Sequence, residues 1–173
     1  MKNTILTYSF YLILYSIGGF FLERIINILF LGVPYDNSFL IGPYQPLYGS
    51  GILLTIIVYD FYIKRYIKTK YVQRVILLLF AILFTALVEI ITGEFLEVLT
   101  GIVYWDYGLV FNCSYPYSCI IPTSIFGVIS MLVILFIHPY IAQLRSMIKN
   151  RYIYIMITIF LIDAIYRITS YLI

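Results

Sequence analysis

Charged residues are scarce in this chain. Lysine, arginine, aspartate and glutamate together make up 11% of the 173 residues, whereas hydrophobic residues make up 63%. An average soluble domain has about 25% charged residues, and the apolar segments here are too continuous to be hidden inside a globular core of this size. Apolar stretches of about 20 residues instead match the ~30 Å hydrocarbon layer of a bilayer. The composition therefore excludes an ordinary soluble domain and predicts an integral membrane protein.

Several motifs of catalysis and metal binding are absent from the sequence. It contains no G-x-x-x-x-G-K-[ST] segment, so the chain cannot by itself hydrolyse ATP in the P-loop manner. It contains neither H-E-x-x-H nor G-x-S-x-G. Cys113 and Cys119 are the only cysteines, and His138 is the only histidine. The two thiols permit one disulfide or two free cysteines and are too few to predict a metal site, so we expect no metal and no cofactor.

The apolar residues of the chain fall into long runs. Five such segments are present, at about 5–31, 47–63, 72–103, 120–141 and 152–173. The first is too long for the apolar region of a signal peptide and no A-x-A-like cleavage site follows it, so we interpret it as an uncleaved span. The sequence contains no internal repeat and no segment that suggests a second domain. It therefore predicts an all-α bundle of five transmembrane helices that forms a single domain over residues 1–173.

The basic residues occupy only one side of this predicted bundle. Nine of the eleven lysines and arginines lie at the amino terminus, in the connections 64–71 and 142–151, or at Arg74. The connections 32–46 and 104–119 contain none. Because lysine and arginine in short loops favour the cytoplasmic side, we predict a cytoplasmic amino terminus in a multi-pass protein of the cell membrane. Basic residues in short loops between spans give no reason to expect nucleic-acid binding.

An acidic face on the third span organises the predicted site. Helical spacing places Glu89, Glu94 and Glu97 within one sector about 140° wide. The span is about 48 Å long as a straight helix, so its acidic half should reach the outer part of the membrane. Carboxylates in an apolar helix are costly unless they face a bundle interior or a water-filled cavity. We therefore expect an acidic outward-side pocket, with a set of structural ion pairs as the alternative.

Other spans bring further charged residues to the same outer level, namely Glu23, Arg24, Asp163 and Arg167. Asp163 and Arg167 are four residues apart and can pair on one helix. Glu23 and Arg24 are adjacent in sequence and point about 100° apart, so their partners should come from other helices. Asp60 lies near the predicted cytoplasmic end, where Lys64 can neutralise it at i,i+4.

Polar and aromatic residues of the connections complete the predicted pocket. Its full set is Glu23, Arg24, Tyr44, Tyr48, Glu89, Glu94, Glu97, Trp105, Asp106, Tyr107, Asn112, Asp163 and Arg167. Pro34, Pro43 and Pro46 make the connection 32–46 a structured turn, which we expect to cover the outer mouth of the pocket. Other aromatic residues of the outer connections are typical of an interfacial belt. Thr123 and Gly127 belong to a small-residue face suited to helix packing.

The run Gly42–Gly51, GPYQPLYGSG, resembles the GPYxPxYGxG signature of the CmpB-type, ABC-transporter type IV permease family of small bacterial membrane proteins. The resemblance covers about residues 8–140 and continues through Glu89, Thr92, Gly93, Leu96, Glu97, Trp105, Asp106, Tyr107, Phe111, Asn112, Cys119, Ser124, Gly127, His138 and Pro139. Gln45 and Phe126 depart from it, since the family often has cysteine and tryptophan there. The resemblance implies a membrane permease, and it supplies no substrate or catalytic residue.

Three hypotheses for function follow. The first is a permease or permease subunit whose acidic pocket receives a cation or a positively charged solute, with ATP-driven work supplied by a separate ATPase subunit. The second is a membrane-embedded enzyme acting on a lipid or headgroup, with two carboxyl groups as general acid and base and Asp106 and Tyr107 at headgroup level. The third is a non-catalytic assembly subunit with fully paired charges. Expected partners are the lipid bilayer, the ATPase and further copies of the chain.

Overall fold

The computed structural model describes residues 4–33 and 38–172, with the side chains of residues 30 and 31 excepted. The predicted turn residue Pro34 and the amino-terminal Lys2 lie outside the described residues. The helices are α1 Thr4–Leu31, α2 Pro46–Val58, α3 Lys64–Tyr66, α4 Lys70–Thr100, α5 Tyr107–Phe111, α6 Ile120–Leu132, α7 His138–Met147 and α8 Asn150–Leu172. Two π-helical turns, Tyr59–Ile63 and Val133–Ile137, continue α2 into α3 and α6 into α7.

Five helices of the described chain are long and apolar enough to cross a membrane, which confirms the predicted fold class. They are Thr4–Leu29, Pro46–Tyr66, Lys70–Thr100, Ile120–Met147 and Asn150–Leu172. No strand occurs in the described ranges. The α4 span shows why the pattern is readable, because an i,i+4 stripe of exposed leucine and isoleucine runs along it through Leu79, Leu83, Leu87 and Ile91. The protein is therefore a multi-pass membrane protein, and the cytoplasmic amino terminus stays a prediction.

The chain divides into two compact units, each described here by itself. The first unit comprises Met1–Ser50 and Leu144–Ile173, and the second comprises Gly51–Gln143. In the first unit α1 packs against α8, and the start of α2 approaches α1 closely. A β-carbon at Gly49 would overlap the Ser16 hydroxyl and the Leu12 carbonyl oxygen. Glycine is therefore what allows the two backbones to meet there.

In the second unit, α4 packs along α6. The small-residue face predicted on the fourth span lies in this contact, since Thr123, Gly127 and Ser130 are buried. A β-carbon at Gly127 would come within 2.5 Å of the Ile82 side chain, so the two helices approach closely where a side chain is missing. The packing of α4 on α6 places one face of α4, the face that carries Glu89, inside the unit.

Candidate functional site: a row of glutamates and tyrosines

The most deeply buried carboxyl group of the second unit belongs to Glu89, a residue that is 1% exposed. Two hydroxyl groups from other elements donate to it. The Tyr107 hydroxyl, at the start of α5, donates to Oε1 at 2.8 Å, and the Thr123 hydroxyl, in the first turn of α6, donates to Oε2 at 2.7 Å. A carboxylate inside an apolar helix is costly unless polar groups take the place of water. These two hydroxyl groups therefore accommodate Glu89.

Hydroxyl groups also donate to Glu94 and Glu97 near the end of α4, and both of these glutamates are exposed. The Tyr115 hydroxyl donates to Glu94 Oε1 and the Tyr117 hydroxyl donates to Glu97 Oε2, both at 2.5 Å. We call the three glutamates together with Tyr107, Tyr115 and Tyr117 the glutamate–tyrosine row. Within the described residues, no lysine, arginine or histidine forms an ion pair with any of these glutamates. In the described residues the carboxylates of the row therefore accept hydrogen bonds from neutral hydroxyl groups.

Tyr115 and Tyr117 of the connection after α4 remain protonated over the whole physiological range. The hydrogen bond to the Glu94 carboxylate raises the pKa of the Tyr115 phenol above its ordinary value. Burial, together with the hydrogen bond to Glu97, raises the pKa of the Tyr117 phenol to about 12. Both phenols therefore act only as hydrogen-bond donors toward the carboxylates at neutral pH.

The connection 101–119 is held in a fixed path that positions these tyrosines. A disulfide joins Cys113 and Cys119, whose Cα atoms are 5.9 Å apart. The backbone amide of Tyr107 donates to the Pro116 carbonyl at 2.8 Å, and Trp105 Nε1 donates to the Tyr117 carbonyl at 3.2 Å. The two hydrogen bonds join the first half of the connection to its second half, and the disulfide closes the second half on itself. The structure thus selects the disulfide from the two states that the sequence left open.

Gly93 on α4 provides the surface on which the connection rests. A β-carbon at this position would overlap the ring of Tyr117, which is itself 3% exposed. The missing side chain lets the ring lie flat enough against α4 for its hydroxyl to reach Glu97. Gly93, one of the residues that carry the family resemblance, thus has a specific packing role.

Sequence reasoning missed three of the donors. It assigned Tyr115 and Tyr117 to an interfacial aromatic belt and Thr123 to helix packing, and Thr123 does pack as well as donate. One signal could have identified the tyrosines: glutamates outnumber nearby bases, so neutral donors had to come from the connections. The connection 104–119 has no lysine or arginine but several tyrosines.

Three other predicted residues shape the connection itself. Asp106 Oδ1 accepts from the Gly108 amide at 2.7 Å and is the N-cap of α5. Asn112, at φ +53°, ends the same helix in the left-handed conformation that asparagine tolerates. Trp105 is the donor to Tyr117 described above. The enzyme hypothesis placed Asp106 at headgroup level, and the structure shows that its side chain caps a helix.

The first unit contains a second group of charged residues, which bonds mainly to backbone. Asp163 on α8 accepts from the Ile41 amide at 3.1 Å and from the Gly42 amide at 2.8 Å. Arg167 Nε, one turn further along α8, donates to the Phe39 carbonyl at 2.8 Å. We call these contacts the amide latch. Among the described residues Asp163 and Arg167 do not pair with each other, because both side chains are directed to the connection 38–45.

The remaining predicted residues of the first unit surround this connection. Gln45 Nε2 donates to Glu23 Oε2 at 2.6 Å. The Arg24 guanidinium lies 4.4 Å from the centre of the Phe20 ring. Tyr44 meets Phe160 edge to face at 5.3 Å, and Tyr48 packs on Gly19. The GPYQP run is thus the structured turn that its prolines predict, with Pro46 at the first position of α2.

The structure therefore assembles the predicted residues into two groups. One is the glutamate–tyrosine row of the second unit, and the other is the amide latch with its neighbours in the first unit. That both groups line a single outer recess stays a prediction from the sequence. The separate pairing predicted near the other end of the second span is confirmed, since Lys64 Nζ lies 2.6 Å from Asp60 Oδ1.

A protein-family model described as “Putative ABC-transporter type IV” matches residues 10–170. The match includes both units and almost the whole of all five spans, which is a longer region than the resemblance in the sequence covered. No curated protein and no solved structure matches the chain.

Proposed function

This chain belongs to the ABC-transporter type IV family, and from that membership we propose that it is a small permease or permease subunit whose glutamate–tyrosine row receives a positively charged solute. The proposal places the cation-binding face on α4 of the second unit. It assigns the amide latch of the first unit a structural role.

One observation supports this proposal above the others. Three carboxylates lie along one face of a single transmembrane span, and in the described residues their partners are hydroxyl groups rather than bases. Ionisable groups within a membrane span are costly, and where they are kept they commonly mark a pathway for an ion or substrate. Carboxylates that hold no protein cation are available to attract one from solution.

The spacing of the row favours an elongated organic cation over a compact metal ion. Glu89 and Glu97 are separated by about 12 Å along the helix axis, at about 1.5 Å per residue. Calcium and magnesium ions require several oxygen ligands at about 2.0–2.6 Å. No group of three or more histidine, cysteine, aspartate or glutamate side chains in the described part of the chain is arranged to hold a metal. A solute with several amino groups could instead meet the carboxylates one by one.

Hydroxyl partners also suit a site that must release what it binds. A neutral hydroxyl leaves the charge of its carboxylate uncompensated, so a cation can bind and leave without the breaking of an ion pair within the protein. Only one oxygen of Glu94 and one of Glu97 accepts a hydrogen bond within the described residues. The second oxygen of each is therefore available to an ammonium group while the tyrosine stays in place.

Energy for transport would come from a separate ATPase subunit. The chain has no P-loop segment, and its basic connections are exposed around Lys68 and Lys149. Arg145 orders the connection near Lys149, since its guanidinium donates to the Ile148 carbonyl at 3.3 Å and to Asn150 Oδ1 at 3.0 Å. We propose that these connections face the cytoplasm of the cell and bind the ATPase.

Thermal unfolding of the purified protein in detergent tests the cation site. Na⁺, Mg²⁺, choline and spermidine are the probes, at matched ionic strength. A ligand present at 100 times its Kd stabilises a protein by about 2.7 kcal/mol, so a cation that binds should raise the unfolding temperature. Spermidine should raise it most, because its several amino groups can meet several carboxylates. Glu94→Gln and Glu97→Gln should each reduce that shift. Asp60→Asn is the matched control, because it removes one carboxylate that already has a lysine partner.

Two results would contradict the proposal. If none of the four cations changed the unfolding temperature, the row would not be a cation site, and the hypothesis of an assembly subunit would gain support. If Asp60→Asn reduced the spermidine shift as much as Glu94→Gln did, the effect would report net charge rather than a site. Affinity purification from native membranes tests the ATPase separately, by asking whether a P-loop protein accompanies the chain.

A further inference from the structure

The positions of α5 and α6 along the axis of α4 can be compared through their contacts with Glu89. Thr123, in the first turn of α6, and Tyr107, the first residue of α5, both donate to Glu89. Both elements therefore begin near the level of Glu89. Thr100, where α4 ends, lies about 16 Å further along the α4 axis, at about 1.5 Å per residue. The end of α4 thus projects well beyond the start of α6, whereas α5 does not.

The chain returns toward the membrane after α4 because of its cap. Gly101 has φ +70° and its amide donates to the Glu97 carbonyl at 2.8 Å, which ends the helix and reverses the chain. The connection then descends along α4 to Tyr107. As a result, α5 begins beside the first turn of α6, where the apolar span Ile120–Met147 begins.

At this level α5 presents an apolar surface that nothing in the described chain covers. Leu109 is 86% exposed and Val110 is 67% exposed, and Ile120 at the start of α6 is 83% exposed. The five residues of α5, YGLVF, include no charge. The opposite side of the same helix is polar, because Tyr107 points to Glu89. The short helix is therefore amphipathic, with its apolar side turned away from the unit.

We propose that α5 lies in the membrane–water interface, with Leu109 and Val110 inserted among the lipid chains, and that this lipid contact holds Tyr107 on Glu89. Ile120, exposed at the same level, is the first residue of the apolar span Ile120–Met147. The apolar side of α5 therefore lies where a span that meets lipid begins. An uncharged five-residue helix is too short to span a bilayer, and its apolar side suits insertion at the interface.

Tryptophan fluorescence can test where α5 lies, because Trp105 is the only tryptophan of the chain. Trp105→Phe provides a silent background in which Leu109→Trp reports on α5. Ser114→Trp is the matched control, since Ser114 is an exposed polar residue of the same connection. Each protein is reconstituted into phosphatidylcholine vesicles, with or without brominated acyl chains, and titrated with iodide.

Leu109→Trp should lose most of its emission in brominated vesicles, emit at shorter wavelength than Ser114→Trp, and be quenched several-fold less by iodide. Quenching by iodide without an effect of brominated lipid would overturn the proposal, because α5 would then face water. Protection from both quenchers would also overturn it, since a protein partner or a second copy of the chain would then cover α5.

A second measurement tests the link between the lipid contact and the glutamate. In the native background, Leu109→Ser with Val110→Ser should increase iodide quenching of Trp105 several-fold, because the connection would loosen from α4. Unchanged quenching in the folded double variant would show that lipid contact does not hold the connection. If the double variant fails to fold, Leu109→Gln provides the same comparison with a smaller change.

Discussion

The two units hold their carboxylates in different ways. In the first unit, Asp163 accepts from two backbone amides of the connection 38–45. In the second unit, Glu94 and Glu97 accept from the side-chain hydroxyls of Tyr115 and Tyr117. The two amides occupy both carboxylate oxygens of Asp163, whereas Tyr115 and Tyr117 each occupy only one oxygen of their glutamate. Similar acidic residues in apolar spans can therefore serve structure in one unit and exchange in the other.

The largest effect that this comparison predicts is a loss of stability in the first unit. Asp163→Asn keeps the size of the side chain but removes the charge and one of the two acceptor oxygens. Hydrogen bonds to charged groups contribute about 1.5–3 kcal/mol each, so we expect a loss of about 3 kcal/mol in the free energy of unfolding, measured by denaturant titration in detergent. Asp60→Asn, in an exposed pair, should cost below about 1 kcal/mol. Equal losses in the two variants would show that the amide latch has no special role.

The next effect concerns the disulfide of the second unit. Replacing Cys113 and Cys119 by serine removes a covalent link that closes a seven-residue segment. Loop-closure entropy predicts a loss of ~2 kcal/mol, concentrated in the connection 101–119. The emission of Trp105 should shift, because its indole bonds to the Tyr117 carbonyl. An unchanged spectrum in the double variant would mean that the noncovalent contacts alone fix the connection.

A smaller effect on stability should distinguish the row from the latch. Glu97→Gln keeps an acceptor for Tyr117, and Glu97 is exposed, so the loss in the free energy of unfolding should stay below about 1 kcal/mol. The same variant should lose most of the stabilisation by spermidine, which Asp163→Asn should retain. The comparison between the units would fail if Asp163→Asn, still folded, lost the response to spermidine and Glu97→Gln kept it.

The smallest effect is a late ionisation. Because the pKa of Tyr117 is raised to about 12 from the ordinary value of 10.0, its neutral form is favoured in the folded state. The associated stability is complete below pH 10 and is lost as the pH rises toward 12. Tyrosinate absorbance of the wild type should include a group with a midpoint near pH 12, beside other late-ionising tyrosines such as Tyr115. Tyr117→Phe should reduce this late phase by one group, and an unchanged late phase would contradict the raised pKa of Tyr117.

Much of the fold could be predicted from the chain alone. The five spans and their approximate limits follow from hydrophobic length, and the shared face of Glu89, Glu94 and Glu97 follows from helical periodicity. The small residues Thr123 and Gly127 were recognisable as packing positions, and both are buried in the structure. These features depend on residues close together in the sequence, for which local rules suffice.

The site was only partly predictable. The acidic residues were identified, but the pairing of Asp163 with Arg167 was not what the described residues show, and Asp106 caps a helix. Spacing at i,i+4 permits an ion pair, yet Asp163 instead accepts hydrogen bonds from two backbone amides of the connection 38–45. The tyrosine donors were not identified because an aromatic residue in a membrane connection has a common alternative role at the interface.

The sequence by itself determined the membrane class, the number of spans and the presence of an acidic face, since hydrophobicity and periodicity act over one or two turns of helix. Only the tertiary structure decided which group satisfies each carboxylate. Gly42 and Asp163 are 121 residues apart, and Thr123 and Glu89 are 34 apart. Such pairs form because the folded path of the chain brings them within about 3 Å, the range over which a hydrogen bond acts, and no local rule specifies that path.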